Sequence, residues 1–270
     1  MRSLLGRLWG GDTVEGAVPL ALAPDVVRRE VEAVDRAAVA LIPLDEAPRR
    51  PAHSAFGGPV FVTDGGGWPR APSGRPMVLL ARIHFADLPR PVPAGLPQEG
   101  LLQILVEAES DGFGTGPLPE PGAGLRIDWW AQNCPGRLLA PPPGLDPTPF
   151  RTPEIAAEGV RIGFEPARIP LSPVDARLET LLAHVPSEDL PRLIDSLPAR
   201  HPAHYLGGHP HFADEDPRDG ELLNWDRCLI QVGSGPVFCW GDEGEATVLM
   251  RRDDLAGRRF DRALFLWDSY

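Results

Sequence analysis

Lysine is missing altogether, so all 26 strongly basic side chains are arginine. That excludes Schiff-base chemistry and phosphate binding by a lysine ammonium. Cysteine is scarce: Cys134, Cys228 and Cys239 are the only three, none in a CxxC pair. An odd, sparse set excludes a disulfide framework and fits reduced thiols in a cytosol. Long apolar runs are absent too, since none approaches the about 20 residues that span a bilayer. The start, "MRSLLGRLWGG", is interrupted by Arg7 before it reaches the length of a signal peptide's apolar core. These absences lead to an expectation of a cytoplasmic protein with no membrane partner.

Catalytic signatures are also lacking. There is no GxSxG nucleophile elbow, Walker loop or dinucleotide-binding glycine pattern. "GFGTG" (112–116) is followed by no helix carrying a phosphate-binding residue, and "GSG" (233–235) reads as a hairpin turn between strands. A net charge of −12 repels nucleic-acid phosphates and anionic lipid, which excludes nucleic acid as a partner class and suits a basic protein. No cofactor is called for.

What the chain does have is 33 prolines and 29 glycines, a density that favours turns and short strands over long helices. The 43% apolar content is enough to bury a core within 270 residues. "PDVVRREVEAVDRA" (24–37) sets Val26, Val27, Val31 and Val34 at helical spacing. Strands are expected at 38–44, 77–85, 100–109, 124–130 and 159–171. Residues 135–153 are too proline-rich for regular structure. Two short helices follow, N-capped by Ser172 and Ser187, and then strands at 227–233, 236–240, 246–250 and 262–267, with a helical turn near "RDDLAG".

Two stretches echo each other. "FGGPVFV" (56–62) and "LGGHPHF" (206–212) each precede a buried strand, "MVLLARI" and "RCLIQVG". The expectation is an α+β, β-rich fold of mostly antiparallel short strands with a few short helices. It would have a mobile N-terminus (1–16) and a single domain (17–270) built of two pseudo-repeated halves, roughly 40–134 and 155–270.

The same residues carry a resemblance. Phe56-Gly57-Gly58, Trp68-Pro69, "LLARI" (79–83) and "GLLQ" (100–103) come in order before His204, "LGGHP" (206–210) and "LIQV" (229–232). "WGDEG" (240–244), "DL" (254–255) and "WD" (267–268) follow. Together they resemble the YwqG-like family of bacterial proteins, a family of unknown function. Arg82 stands where that family usually has glutamine, and Pro59 follows the first glycine pair directly. The resemblance implies an α+β fold with an internal duplication, and no activity or cofactor.

The densest chemistry lies in "HPAHYLGGHPHFADEDPRD" (201–219). His201, His204, His209 and His211, with Asp214 or Asp216, are the types of side chain zinc accepts, although the spacing matches no standard metal motif. The plainer reading is that His204 hydrogen-bonds its turn, and no metal is favoured. Asp242 reads as a turn former in "CWGDEG". A groove for a ligand or partner, if formed, would gather His204, Trp240, Asp242 and Trp68. The function expected is a non-enzymatic protein-binding module, of which an immunity or antitoxin-type partner of a toxin is one form. The alternative is a small-ligand binder or enzyme using a groove near His204, Trp240 and Asp242.

Overall fold

The computed structural model describes residues 22–50, 53–107, 120–131, 134–197, 200–213 and 215–269. The N-terminal 16 residues and "GFGTG" lie outside them. In chain order the first half contains α1 (Pro24–Ala33), β1 (Arg36–Pro43), β2 (Ala55–Phe56), β3 (Val60–Thr63), β4 (Met77–His84), β5 (Leu101–Glu107), β6 (Leu125–Trp130) and β7 (Gly136–Leu139). There follow α2 (Pro153–Glu158), β8 (Val160–Ile169), α3 (Ala176–Leu182), α4 (Leu190–Ser196), β9 (His204–Gly207), β10 (Arg227–Gly233), β11 (Glu245–Met250), α5 (Arg252–Ala256) and β12 (Leu264–Asp268).

Ten of these strands form one antiparallel sheet. At its centre β1 and β8 pair along their length, Arg36 opposite Ile169 and Pro43 opposite Ile162. Outward from β8 come β2, β4, β5 and β6; outward from β1 come β9, β10, β11 and β12. β3 and β7 make a separate two-stranded sheet. The large sheet curls until its ends nearly meet. Gly122, just before β6, donates its N–H to Ala263 O beside β12 at 2.9 Å, and Trp129 packs against Phe260. Near closure protects edge strands that would otherwise offer unpaired backbone groups.

β4 reads as a near-continuous apolar run because both of its faces are covered. Met77 and Leu79 pack with Val60, Val62, Ala71 and Leu105, whereas Val78, Leu80, Ala81 and Ile83 face the main core. A bulge between Leu79 and Ala81 turns Leu80 and Ala81 toward the same side. β10 has the corresponding irregularity between Cys228 and Ile230, so Leu229 and Ile230 both enter the main core. Fully burying one such leucine or isoleucine contributes about 1.5–3 kcal/mol. A satellite core under α1, α3 and α4 gathers Val27, Val31, Leu178, Leu181 and Leu193.

Two glycine pairs turn the chain out of β2 and β9. Gly57 and Gly58 have φ of 64° and 80°, and Gly207 and Gly208 have φ of 74° and 81°. Gly208 has a second constraint: a Cβ there would sit 2.5 Å from Ile169 Cγ1.

The structure departs from local expectation at several points, the first being that His204–Gly207, inside the histidine-rich stretch read as a loop, is strand β9. Residues 136–139 of the proline-rich segment are a strand, because β3 supplies a partner that local composition cannot reveal. Residues 236–240 do not form a regular strand; Phe238 makes one isolated bridge to Phe150. The hairpin between β10 and β11 is not closed at "GSG" but by the whole connection from Ser234 to Gly244. Asp175, not Ser172, caps α3, its carboxylate accepting from Arg177 N at 3.0 Å. α4 starts at Leu190 with no side-chain cap, so Ser187 has no such role.

Candidate functional site

Gln231 organises the most polar region of the core. It lies on β10 among apolar neighbours and is fully buried. A buried amide must spend its donors and acceptor on partners. Its Oε1 accepts from His211 N at 2.9 Å, and its Nε2 donates to His211 O at 3.1 Å. This clamp fixes the chain three residues beyond the Gly207–Gly208 turn. The same Nε2 reaches Glu245 Oε2. The Tyr205 hydroxyl, 2.7 Å from Gln231 Oε1 and 2.9 Å from His209 O, donates to one of them. From the far end of the sheet, Asp268 accepts from Ala213 N at 2.6 Å.

His211 is thereby held against Glu245, the first residue of β11, with Nδ1 at 3.3 Å from Oε2. His201 approaches from the lead-in to β9, with Nε2 at 3.4 Å from Glu245 Oε1. The two imidazoles face each other with centroids 3.9 Å apart. Pro202 O lies 2.9 Å from His201 Nδ1. A carbonyl only accepts, so that nitrogen carries the proton and a neutral His201 keeps its Nε2 lone pair toward Glu245. Burial alone would raise the Glu245 carboxyl, but His211, His201 and Gln231 outweigh it and hold its pKa below the usual value. Burial, and then His211, push His201 below the ordinary histidine range. The three side chains retain 10–15% of their exposure, so the cluster touches solvent without lying open.

A protein-family model described as a domain of unknown function, DUF1963, matches residues 54–269. The chain belongs to the DUF1963 family. No curated protein matches it. The DUF1963 match begins at β2, so α1 and β1 fall before it, although β1 pairs with both β8 and β9.

The DUF1963 fold distributes the residues singled out in its sequence. His204 is buried on β9 and does not bond its own turn as expected: the register of β9 against β10 brings Gly233 N within 3.3 Å, and His204 Nδ1 accepts from it while its ring packs on Phe56 and Phe238. Burial lowers its pKa to about 4, so it is neutral at physiological pH. His209 turns the other way: Val34 O lies 2.7 Å from Nε2 and Arg177 lies 3.2 Å from Nδ1. Burial, with Arg36 and Arg177, lowers it to about 3. Asp216 accepts from Arg218, and Asp214 lies outside the described residues.

Trp240 is 5% exposed, stacks beside Phe238 and meets Phe265 and Trp267. Asp242 is exposed on the connection to β11. Trp68 joins a different cluster and donates its indole N–H to Met77 O at 2.9 Å. The structure thus brings His204 and Trp240 to the same aromatic core, flanking Phe238, while Asp242 and Trp68 stand apart. It brings His201 and His211 together but separates them from His204 and His209. Glu245 and Gln231 escaped sequence reasoning. The signal available for Gln231 was a lone amide inside the buried strand "CLIQV", and for Glu245 an acid immediately preceding "ATVLM".

Proposed function

We propose that this DUF1963 protein is a non-enzymatic binding module that recognises a basic protein partner, with an immunity or antitoxin-type pairing with a toxin as its specific form. One observation carries the reading. Among the described residues the buried charged groups nearly balance, with Arg82, Arg177 and Arg218 set against Asp175 and Asp254, so the acidic excess behind the net charge of −12 is not held in the core. An outward field of that sign steers a cationic partner and is screened by salt. The experiment is a pull-down on tagged protein in its native host at low and high salt. A stoichiometric basic partner, released as salt rises, is the outcome expected. Recovery of no stoichiometric protein at low salt overturns the reading.

A cytosolic location accompanies this proposal, supported by three free cysteines, one of them exposed. No helix among the described residues is long and apolar enough to cross a membrane. Within DUF1963, the order of sequence motifs supports a place among the YwqG-like proteins. The second reading, a ligand groove near His204, Trp240 and Asp242, has less support, because His204 and Trp240 are at most 5% exposed.

We also propose that the domain arose by duplication. Four strands lead outward from β8 and four from β1 in matching order, each series beginning at a left-handed glycine pair. β4 and β10 carry their bulges at corresponding places. Gln103 on β5 clamps Phe61 N and O, three residues beyond Gly58, just as Gln231 clamps His211. Arg82, the departure from the YwqG-like pattern, lies in register with Gln103, which takes over the clamp. Arg82 itself donates to His53 O and Pro59 O. An experimental structure in which residues 50–110 and 200–260 share no common trace would sink this proposal.

A further inference from the structure

We propose that His201, His211 and Glu245 form a binding site for a divalent transition-metal ion of the zinc class, with at least one coordination position left to solvent or a partner's side chain. The three ligand atoms already lie within 4.8 Å of one another. Donors about 2.0–2.2 Å from one ion, at angles between octahedral and tetrahedral, stand about 3–3.5 Å apart. The two imidazole–carboxylate separations, 3.4 and 3.3 Å, fall in that range. Each imidazole meets a different oxygen of Glu245, so the carboxylate spans the two nitrogens, and the set as a whole closes from 4.8 Å to receive an ion.

The donor set decides the class of ion. Two imidazoles with one carboxylate suit zinc, iron, cobalt or nickel, whereas calcium and magnesium demand mostly oxygen. Three protein ligands with residual exposure describe an open site rather than a closed structural one.

The groups behind the ligands have the arrangement that metal sites use. His201 gives its Nδ1 proton to a backbone carbonyl, which aims the other nitrogen at the cluster. Gln231 holds both the Glu245 carboxylate and the His211 backbone, with the Tyr205 hydroxyl 2.7 Å from its Oε1. His211 Nδ1 is buried and makes no hydrogen bond of good geometry, despite a Glu245 oxygen at 3.3 Å. An orphaned buried nitrogen costs stability unless something binds it.

The competing account is a structural histidine–glutamate–histidine contact that serves only to anchor the loop. The clamp does not require it. Gln103 holds Phe61 by the same pair of backbone hydrogen bonds, with a phenylalanine side chain there that packs against Trp130. An imidazole at 211 therefore needs a reason other than loop anchoring, and a shared cation supplies one.

The test uses the full chain with any affinity tag removed, stripped with chelator. It is titrated with ZnCl2 by calorimetry and, separately, with Co2+ followed by its visible absorption. The expected result is one equivalent of Zn2+ and a Co2+ spectrum of a site with nitrogen and oxygen ligands. His201→Gln, His211→Gln and Glu245→Gln should each weaken binding at least about tenfold, because each removes a ligand. His184→Ala, a change at a histidine elsewhere, should leave binding intact. Glu245→Gln keeps the size of the side chain, and circular dichroism establishes whether each variant is folded. Binding of less than about a tenth of an equivalent by the wild type overturns the proposal whatever the variants do. So does undiminished binding by folded Glu245→Gln together with folded His211→Gln, since the ion would then sit elsewhere.

Discussion

Replacing Asp175 with asparagine tests the most heavily committed charge in the protein. Asp175 is fully buried and caps α3. Its carboxylate accepts from Arg177 N at 3.0 Å, from Arg177 Nε and Nη2 at 2.5 Å each, and from Arg218 Nη2 at 3.0 Å. Arg177 and Arg218 are themselves 3% and 2% exposed, so an uncharged neighbour takes the closest carboxylate from two guanidinium groups held out of water, with Asp226 3.8 Å from Arg177. Breaking a buried ion pair costs about 3–5 kcal/mol. Arg218 keeps both oxygens of Asp216 and Trp225 O, and asparagine can still cap the helix, so the lower end of that range applies. The expected loss is about 3 kcal/mol at neutral pH, read from urea unfolding followed by tryptophan fluorescence. The pH dependence has a fixed sign. Although burial opposes it, the two arginines hold Asp175 below its ordinary pKa. Its contribution is therefore complete above the unfolded value near 3.8 and is lost as pH falls through the folded one. Wild type and variant should converge in stability in that acidic range. A neutral-pH difference below about 1 kcal/mol, at unchanged m-value, would refute the claim that this network is energetically coupled.

Three further outcomes follow from the same structure. Gly208→Ala combines a left-handed φ with a clash against Ile169, so it should destabilise by about 2–5 kcal/mol, whereas Gly74→Ala should cost only about 1–2. Gly74 shares the positive φ but has no atom within 4 Å of a Cβ, so paired thermal melts separate strain from crowding. Gln103→Leu strands the buried N–H and C=O of Phe61 and should cost about 2–4 kcal/mol in urea unfolding, with a Gln103→Glu comparison separating lost donors from lost shape. His204, neutral in the fold with a pKa of about 4, should give stability that is full above pH 6.5 and falls steadily toward pH 4. Its share is about 3 kcal/mol, so a His204→Leu variant whose stability–pH slope equals the wild type's between those limits would contradict the assignment.

Much of the framework could be read locally. "MVLLARI", "LLQILVE" and "CLIQV" are apolar enough to demand burial on both faces, and they are β4, β5 and β10. The valines of α1 at helical spacing face the satellite core. The glycine pairs were visible as turns because each is followed by a proline, although the short strands β2 and β9 that lead into them were not. Local reading failed where a partner strand decided the outcome: residues 136–139 became a strand only against β3, and 236–240 found no continuous neighbour. Caps were misjudged because Asp175 outcompetes Ser172 once Arg177 and Arg218 arrive to balance its charge.

For the candidate site, the inventory was legible in the chain: a histidine-rich stretch after two short helices, a glycine pair to turn it, and a negative net charge. Which histidines would meet was decided only by tertiary structure. His201 and His211 sit on either side of a short strand whose turn brings them face to face, while His204 and His209 point into the core and toward α1. Glu245 joins them from a strand whose register sets it opposite Gly233, the residue that ends β10. The reason is physical: side-chain types are carried by the local chain, but distances between ligands are set by sheet register and curl, which depend on every strand pairing at once.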